Sequence, residues 1–139
     1  MARRATVSTA ARALVLTPLA ESEIYVTLAV ELPDGSTAAS VVGWRHPRYR
    51  GVVVPGTWIP VRLPDGRADR AELAQDQVPL DSEVAEVIVE ALGGPAATPR
   101  SADVWRIQLA LAYAERIIEA GGLGEDQADA IRQRIKAGV

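Results

Sequence analysis

The sequence has no cysteine and no phenylalanine, a single histidine, His46, and a single lysine, Lys136. Each gap removes a class of chemistry. Without cysteine there is no disulfide framework, no thiolate nucleophile and no sulfur ligand for a metal. One histidine cannot build a histidine-rich metal centre. It also makes a poor general base, because it stands beside Arg45 and a neighbouring cation disfavours the protonated imidazole. The glycines fall singly at turns or in pairs at helix ends, in neither of the spacings that cradle a phosphate. Glu83, Glu86 and Glu90 can be drawn as a carboxylate cluster, yet acidic side chains opposite an apolar stripe are what the outer face of any surface helix carries. No enzymatic activity, cofactor or metal is therefore expected. No stretch approaches the ~18 consecutive apolar residues of a membrane helix. Arg12 breaks the apolar run that follows Arg3 and Arg4, so no secretion leader is expected either, and the protein reads as soluble and cytoplasmic.

What is present is an aliphatic, mildly acidic chain. Of 139 residues 48% are hydrophobic, and with three Trp and three Tyr as the only large rings, Val, Ile, Leu and Ala must fill most of the core. This length fits one domain, or one domain with an appendage. Basic residues outnumber acidic ones over residues 1–75 and the reverse holds over 76–139, for a formal net charge of -3. A solvated surface explains that asymmetry at least as well as attraction between subunits does.

Residues 13–17 form a short β-like run closed by Pro18. Over residues 24–32, Ile24, Val26, Leu28 and Val30 alternate with Tyr25, Thr27, Ala29 and Glu31, the period of a half-buried strand. Pro33, Asp34 and Gly35 then make a hairpin turn into a strand over 37–44. A strand over 58–63 places Ile59, Val61 and Leu63 on one face, and Pro60 restricts it to an edge or a bulge. A second Pro-Asp-Gly turn at 64–66 leads into residues 68–74. Short strands with turn signals at roughly ten-residue spacing predict a small antiparallel barrel or sandwich.

Helical periods follow. Val84, Val87, Ile88, Ala91 and Leu92 predict a helix within residues 80–94, with Asp81 or Ser82 to cap it, Gly93 and Gly94 to stop it, and the barrel to pack against. Farther on, Val104, Ile107, Leu111, Ala114 and Ile118 recur at spacings of three and four, and Trp105, Leu109, Ala112 and Tyr113 lie beside them as a second apolar row. Ser101 is placed to cap that helix and Gly121 with Gly122 to end it. The next helix begins after Leu123, with Glu125 and Asp126 at its positive end, Arg132, Arg134 and Lys136 near its negative end, and a stripe of Ala128, Ile131 and Ile135. The expected fold is thus α+β: a small antiparallel β-barrel or sandwich with a packed helix over residues 1–92, a linker over 93–100, and a C-terminal helical hairpin over 101–139.

The spacing of Leu111, Ala114, Ile117, Gly121 and Leu123, followed by the acidic pair Glu125 and Asp126, resembles the short C-terminal (SHOCT) domain at the ends of many bacterial, especially actinobacterial, proteins. The phrases PDGS and PGTWIPVRLPDGRADRAEL are similar to the small β-barrel that often precedes such a tail in actinobacterial proteins. The resemblance implies oligomerisation or protein contact and carries no defined catalytic activity.

The function expected is that of a non-enzymatic, self-associating structural or adaptor protein. Val104, Ile107, Leu111, Ile118, Leu123, Ile131 and Ile135 would mediate homo-oligomerisation or the docking of a protein partner, and the barrel would present a binding surface. The alternative is an OB-like single-stranded nucleic-acid binder using the loop 44–50, where Arg45, Arg48 and Arg50 are interleaved with Trp44, His46 and Tyr49. The acidic charge of the whole chain weighs against that alternative.

Overall fold

The computed structural model describes residues 7–17, 25–96 and 103–139. Their elements are β1 (Ser8–Val15), β2 (Tyr25–Glu31), β3 (Thr37–Gly43), β4 (Trp58–Pro64), β5 (Glu72–Leu73), α1 (Asp81–Ala91), α2 (Val104–Gly121) and α3 (Glu125–Lys136), with 3-10 helices at Pro47–Val52, Ala68–Arg70 and Gln75–Gln77. The chain divides into a β unit, Met1–Arg45 with Val53–Ala74, and a helical unit, His46–Val52 with Gln75–Val139.

In the β unit the strands form one antiparallel sheet in the order β3-β2-β1-β4-β5, curled into a half-barrel. Alternation builds its core: Ala13 and Val15, Val26, Leu28 and Val30, Val42, and Ile59, Val61 and Leu63 are all buried, and the residues between them point outward. β1 begins at Ser8, well before the expected residue 13. Its alanines, Ala10, Ala11 and Ala13, fall on both faces and hide the period. Arg12 stands on the outer face, its guanidinium 4.3 Å from the centroid of the Trp58 ring and its Nε donating to Glu31 at 2.7 Å.

The hairpin between β2 and β3 has three loop residues, Pro33, Asp34 and Gly35, with Gly35 at φ 86, and the Leu32 N–H donates to the Ser36 carbonyl at 2.8 Å. Pro60 sits inside β4 without breaking the ladder to β1. The Val15 N–H donates to the Thr57 carbonyl and the Asp65 N–H to the Val7 carbonyl. With Arg12 opposite Pro60, the proline nitrogen therefore faces away from β1. Residues 68–74 contain little strand. Ala68–Arg70 is a 3-10 turn tied by Arg67 to Asp69, and β5 pairs with β4 only at Val61 and Arg62.

The helical unit corrects the expected packing of α1. Val84, Val87 and Ile88 belong to one cluster with Ala110, Ala114 and Ile118 of α2, Ala128, Ile131 and Ile135 of α3, and the terminal Val139. α1 thus packs with α2 and α3 in one cluster, and residues 75–92, expected with the barrel, fall in the helical unit. Glu83, expected on the outer face, is only 7% exposed. One carboxylate oxygen binds Arg106 of α2 and the other accepts from the Leu80 N–H at 3.3 Å. Glu90 pairs with Arg134 of α3 at 2.5 Å. α2 is capped by Asp103, whose carboxylate accepts from the amides of Trp105 and Arg106. Ser101, the expected cap, and part of the expected linker lie outside the described residues. Gly122 ends α2 at φ 61, and α3 starts with Glu125 and Asp126 in its first turn, both as expected.

The 3-10 helix Pro47–Val52 docks on this bundle. Asp81 accepts from the amides of Arg50 at 3.0 Å and Gly51 at 2.9 Å, and Arg116 donates to the Gly51 carbonyl at 2.8 Å. Tyr113 closes over Gly51 so tightly that an added Cβ would lie 1.7 Å from its ring. Gly51→Ala is therefore expected to force the two elements apart at a cost of about 1–3 kcal/mol, read as a lowered urea midpoint of the helical signal. An unchanged midpoint would show that Tyr113 swings away freely.

Candidate functional site

The structure spends the expected helical seam inside the helical unit. Ile131 and Ile135 are fully buried and Ile118 is 9% exposed, while Ile107, Leu111 and Leu123 are half-buried against the same cluster. Only Val104 stands clear, at 68% exposure. Of the second row Leu109 is buried and Tyr113 covers Gly51, while Trp105 is half-buried and Ala112 exposed. Burial, and then the nearby Asp81 carboxylate, push the Tyr113 phenol above its ordinary range, with Arg116 opposing them.

The structure also separates the residues of the loop 44–50. Trp44 is buried, so its face is not offered for stacking. His46 and Tyr49 meet edge to face at 6.4 Å, and the His46 Nδ1 lies 3.2 Å from the Gln75 amide nitrogen. Arg45 and Arg48 are exposed and Arg50 is half-buried, with its backbone held by Asp81. Trp44 is thus enclosed, while His46 and Tyr49 are half-buried against each other.

Among the described residues the outer edge of β3 is left unpaired. Leu32 and Ser36 are a hydrogen-bonded pair, and the β2–β3 register continues without a bulge through Val30–Ala38, Leu28–Ser40 and Val26–Val42. In an antiparallel ladder the residues between such pairs turn their N–H and C=O groups the other way. Those residues are Thr37, Ala39, Val41 and Gly43, and all four are exposed. Their backbone groups find no hydrogen-bond partner among the described residues. The 3-10 turn Ala68–Arg70 lies beside β3 and lines a shared groove with Val41, Gly43, Tyr25 and Arg45, without bonding to the strand.

The strand carries neither charge nor proline, the usual guards of a free edge. Val41 stands exposed on its outer face, and Tyr25 of the neighbouring β2 beside it, at 65% and 60%. On its inner face Ser40 is 7% exposed, and its hydroxyl has no partner among the described residues. A sequence signal for it existed: a serine between Ala38 and Val42 on the buried face of an alternating strand. At the ends of the strand stand two charges. Arg45 has no ion-pair partner among the described residues, and Asp34 is held below its usual carboxylate range by hydrogen bonds from the Ser36 hydroxyl and amide.

Among the described residues no group of acidic or histidine side chains is placed to hold a metal ion, and no helix is long and apolar enough to cross a membrane. Comparison with family models, with curated proteins and with solved structures finds no match to this chain.

Proposed function

We propose that the protein is a non-enzymatic, self-associating module that acts by protein contact, with the β unit supplying the binding surface. The observation that carries this reading is the open edge of β3. A row of unpaired backbone donors and acceptors is a template for another strand, and natural sheets that do not use one block it with charge, proline, a bulge or a covering loop; here the Ala68–Arg70 turn stands beside part of the edge without bonding to it. The resemblance of the C-terminal helices to short oligomerising tails points to the same class of function. Their apolar rows, however, support the bundle and leave the edge strand as the better surface for a partner.

Light scattering of the full chain over a range of concentrations is expected to give a mass above that of one chain. Val41→Lys places a charge on the exposed face of the edge without touching the core. It is expected to weaken association at least about tenfold with the circular dichroism unchanged. A wild-type protein that keeps the mass of one chain at every concentration sinks the reading.

A further inference from the structure

We propose that two copies of the protein join by antiparallel pairing of their β3 strands about a two-fold axis through Ser40, so that the two half-barrel sheets continue into one. This inference rests on the self-association proposed above and specifies its register.

The register follows from which groups are free. Around an axis at Ser40, Thr37 of each copy faces Gly43 of the other and Ala39 faces Val41. These are the residues whose N–H and C=O groups point off the edge, so the arrangement uses all of them as hydrogen-bonded pairs. A shift by one residue would set outward groups against inward ones and lose the ladder. No charge lies along the strand, so the symmetric pairing sets no like charges opposite each other.

Two further features become explicable in this register. Ser40 falls opposite Ser40 of the second copy as a non-hydrogen-bonded pair, where side chains on one face approach most closely. Its buried hydroxyl, unpartnered among the described residues, then meets another hydroxyl. Beyond the ends of the strand, Arg45 falls opposite Gly35 of the second copy and next to its Asp34. Each end of the joint therefore brings a cation that has no ion-pair partner among the described residues to a carboxylate.

The Ala68–Arg70 turn must move aside at one end of the edge. It is held by two backbone hydrogen bonds of 3.2 Å, Arg70 N–H to the Arg67 carbonyl and Ala71 N–H to the Ala68 carbonyl, and by the exposed Arg67–Asp69 ion pair, and none of its residues is buried.

Sedimentation of the full chain tests the register. Ala39→Pro removes an amide that β2 does not use, and is expected to weaken the dimer at least about tenfold while the β-sheet circular dichroism persists. Arg45→Asp sets two acidic groups together at each end and Asp34→Arg sets two basic groups together, so each variant alone is expected to weaken the dimer. Mixed in equal amounts, the two variants are expected to form a heterodimer, because every end then holds one charge of each sign. Should Asp34→Arg disturb the hairpin, Arg45→Asp and Ala39→Pro carry the test between them. A dimer indifferent to Ala39→Pro and to the charge variants overturns this register while leaving self-association standing. A wild type that never dimerises overturns both.

Discussion

Replacing Arg106 by Met while Glu83 remains is expected to destabilise the helical unit by about 3–5 kcal/mol, the cost of leaving a buried charge without its partner. The Arg106 and Glu83 side chains are 9% and 8% exposed. Besides their mutual contact, Arg106 Nη1 donates to the Val78 carbonyl at 3.1 Å, and Glu83 holds the Leu80 amide at the start of α1. The pair therefore fastens the N-terminal ends of α1 and α2 together and satisfies backbone groups that no side chain caps at Leu80. Glu83→Leu alone is expected to cost a similar amount, since it strands the guanidinium. The double replacement should recover most of the loss, because two apolar side chains of comparable volume fill the site and only the Val78 and Leu80 backbone groups are left wanting. Urea unfolding followed by helical circular dichroism reads all three. Single effects below about 1 kcal/mol, or a double mutant whose loss equals the sum of the singles, would mean that the two groups are not buried as a pair.

Both residues were within reach of the sequence. Glu83 falls three after Leu80 and four before Val87, inside the apolar arc of α1, and Arg106 falls four before Ala110 on the inward face of α2. Reading Glu83 as a surface charge followed from residue type, and the face it occupies gives the better guide. Strand and helix periods were legible wherever large side chains alternate, as in β2, β4 and α3. They failed in β1, where alanine on both faces leaves no contrast. What α1 packs against was not legible at all, because a stripe of Val84, Val87 and Ile88 fits a sheet and a pair of helices equally well. The lack of charge and proline in β3 was written plainly, but strand order decides whether such a strand is central or outermost. That order comes from pairing between distant segments, and local pattern does not encode it.

The same limit governs the second large effect. Aspartate at Leu111 and Ile118 is the natural way to break a helical seam between two chains, and if the seam joined separate molecules it would lower the mass and spare the fold. Ile118 is instead 9% exposed, within a cluster that includes Ala128, Ile131 and Ile135, and Leu111 packs against that cluster from its margin. A carboxylate placed at Ile118 loses its hydration at a cost of several kcal/mol and one at Leu111 loses part of it, on top of about 1.5–3 kcal/mol for an apolar side chain withdrawn from full burial. Marginal stabilities of about 5–15 kcal/mol do not survive that sum. Leu111→Asp with Ile118→Asp is therefore expected to abolish the cooperative unfolding of α1, α2 and α3 and to cut the helical circular dichroism. Val104→Asp, at the exposed start of the same row, is expected to change stability by less than about 0.5 kcal/mol. A double mutant that keeps its helices and its unfolding midpoint, and loses only molecular mass, would mean that Leu111 and Ile118 face a second copy and that the bundle is closed by association rather than by α1.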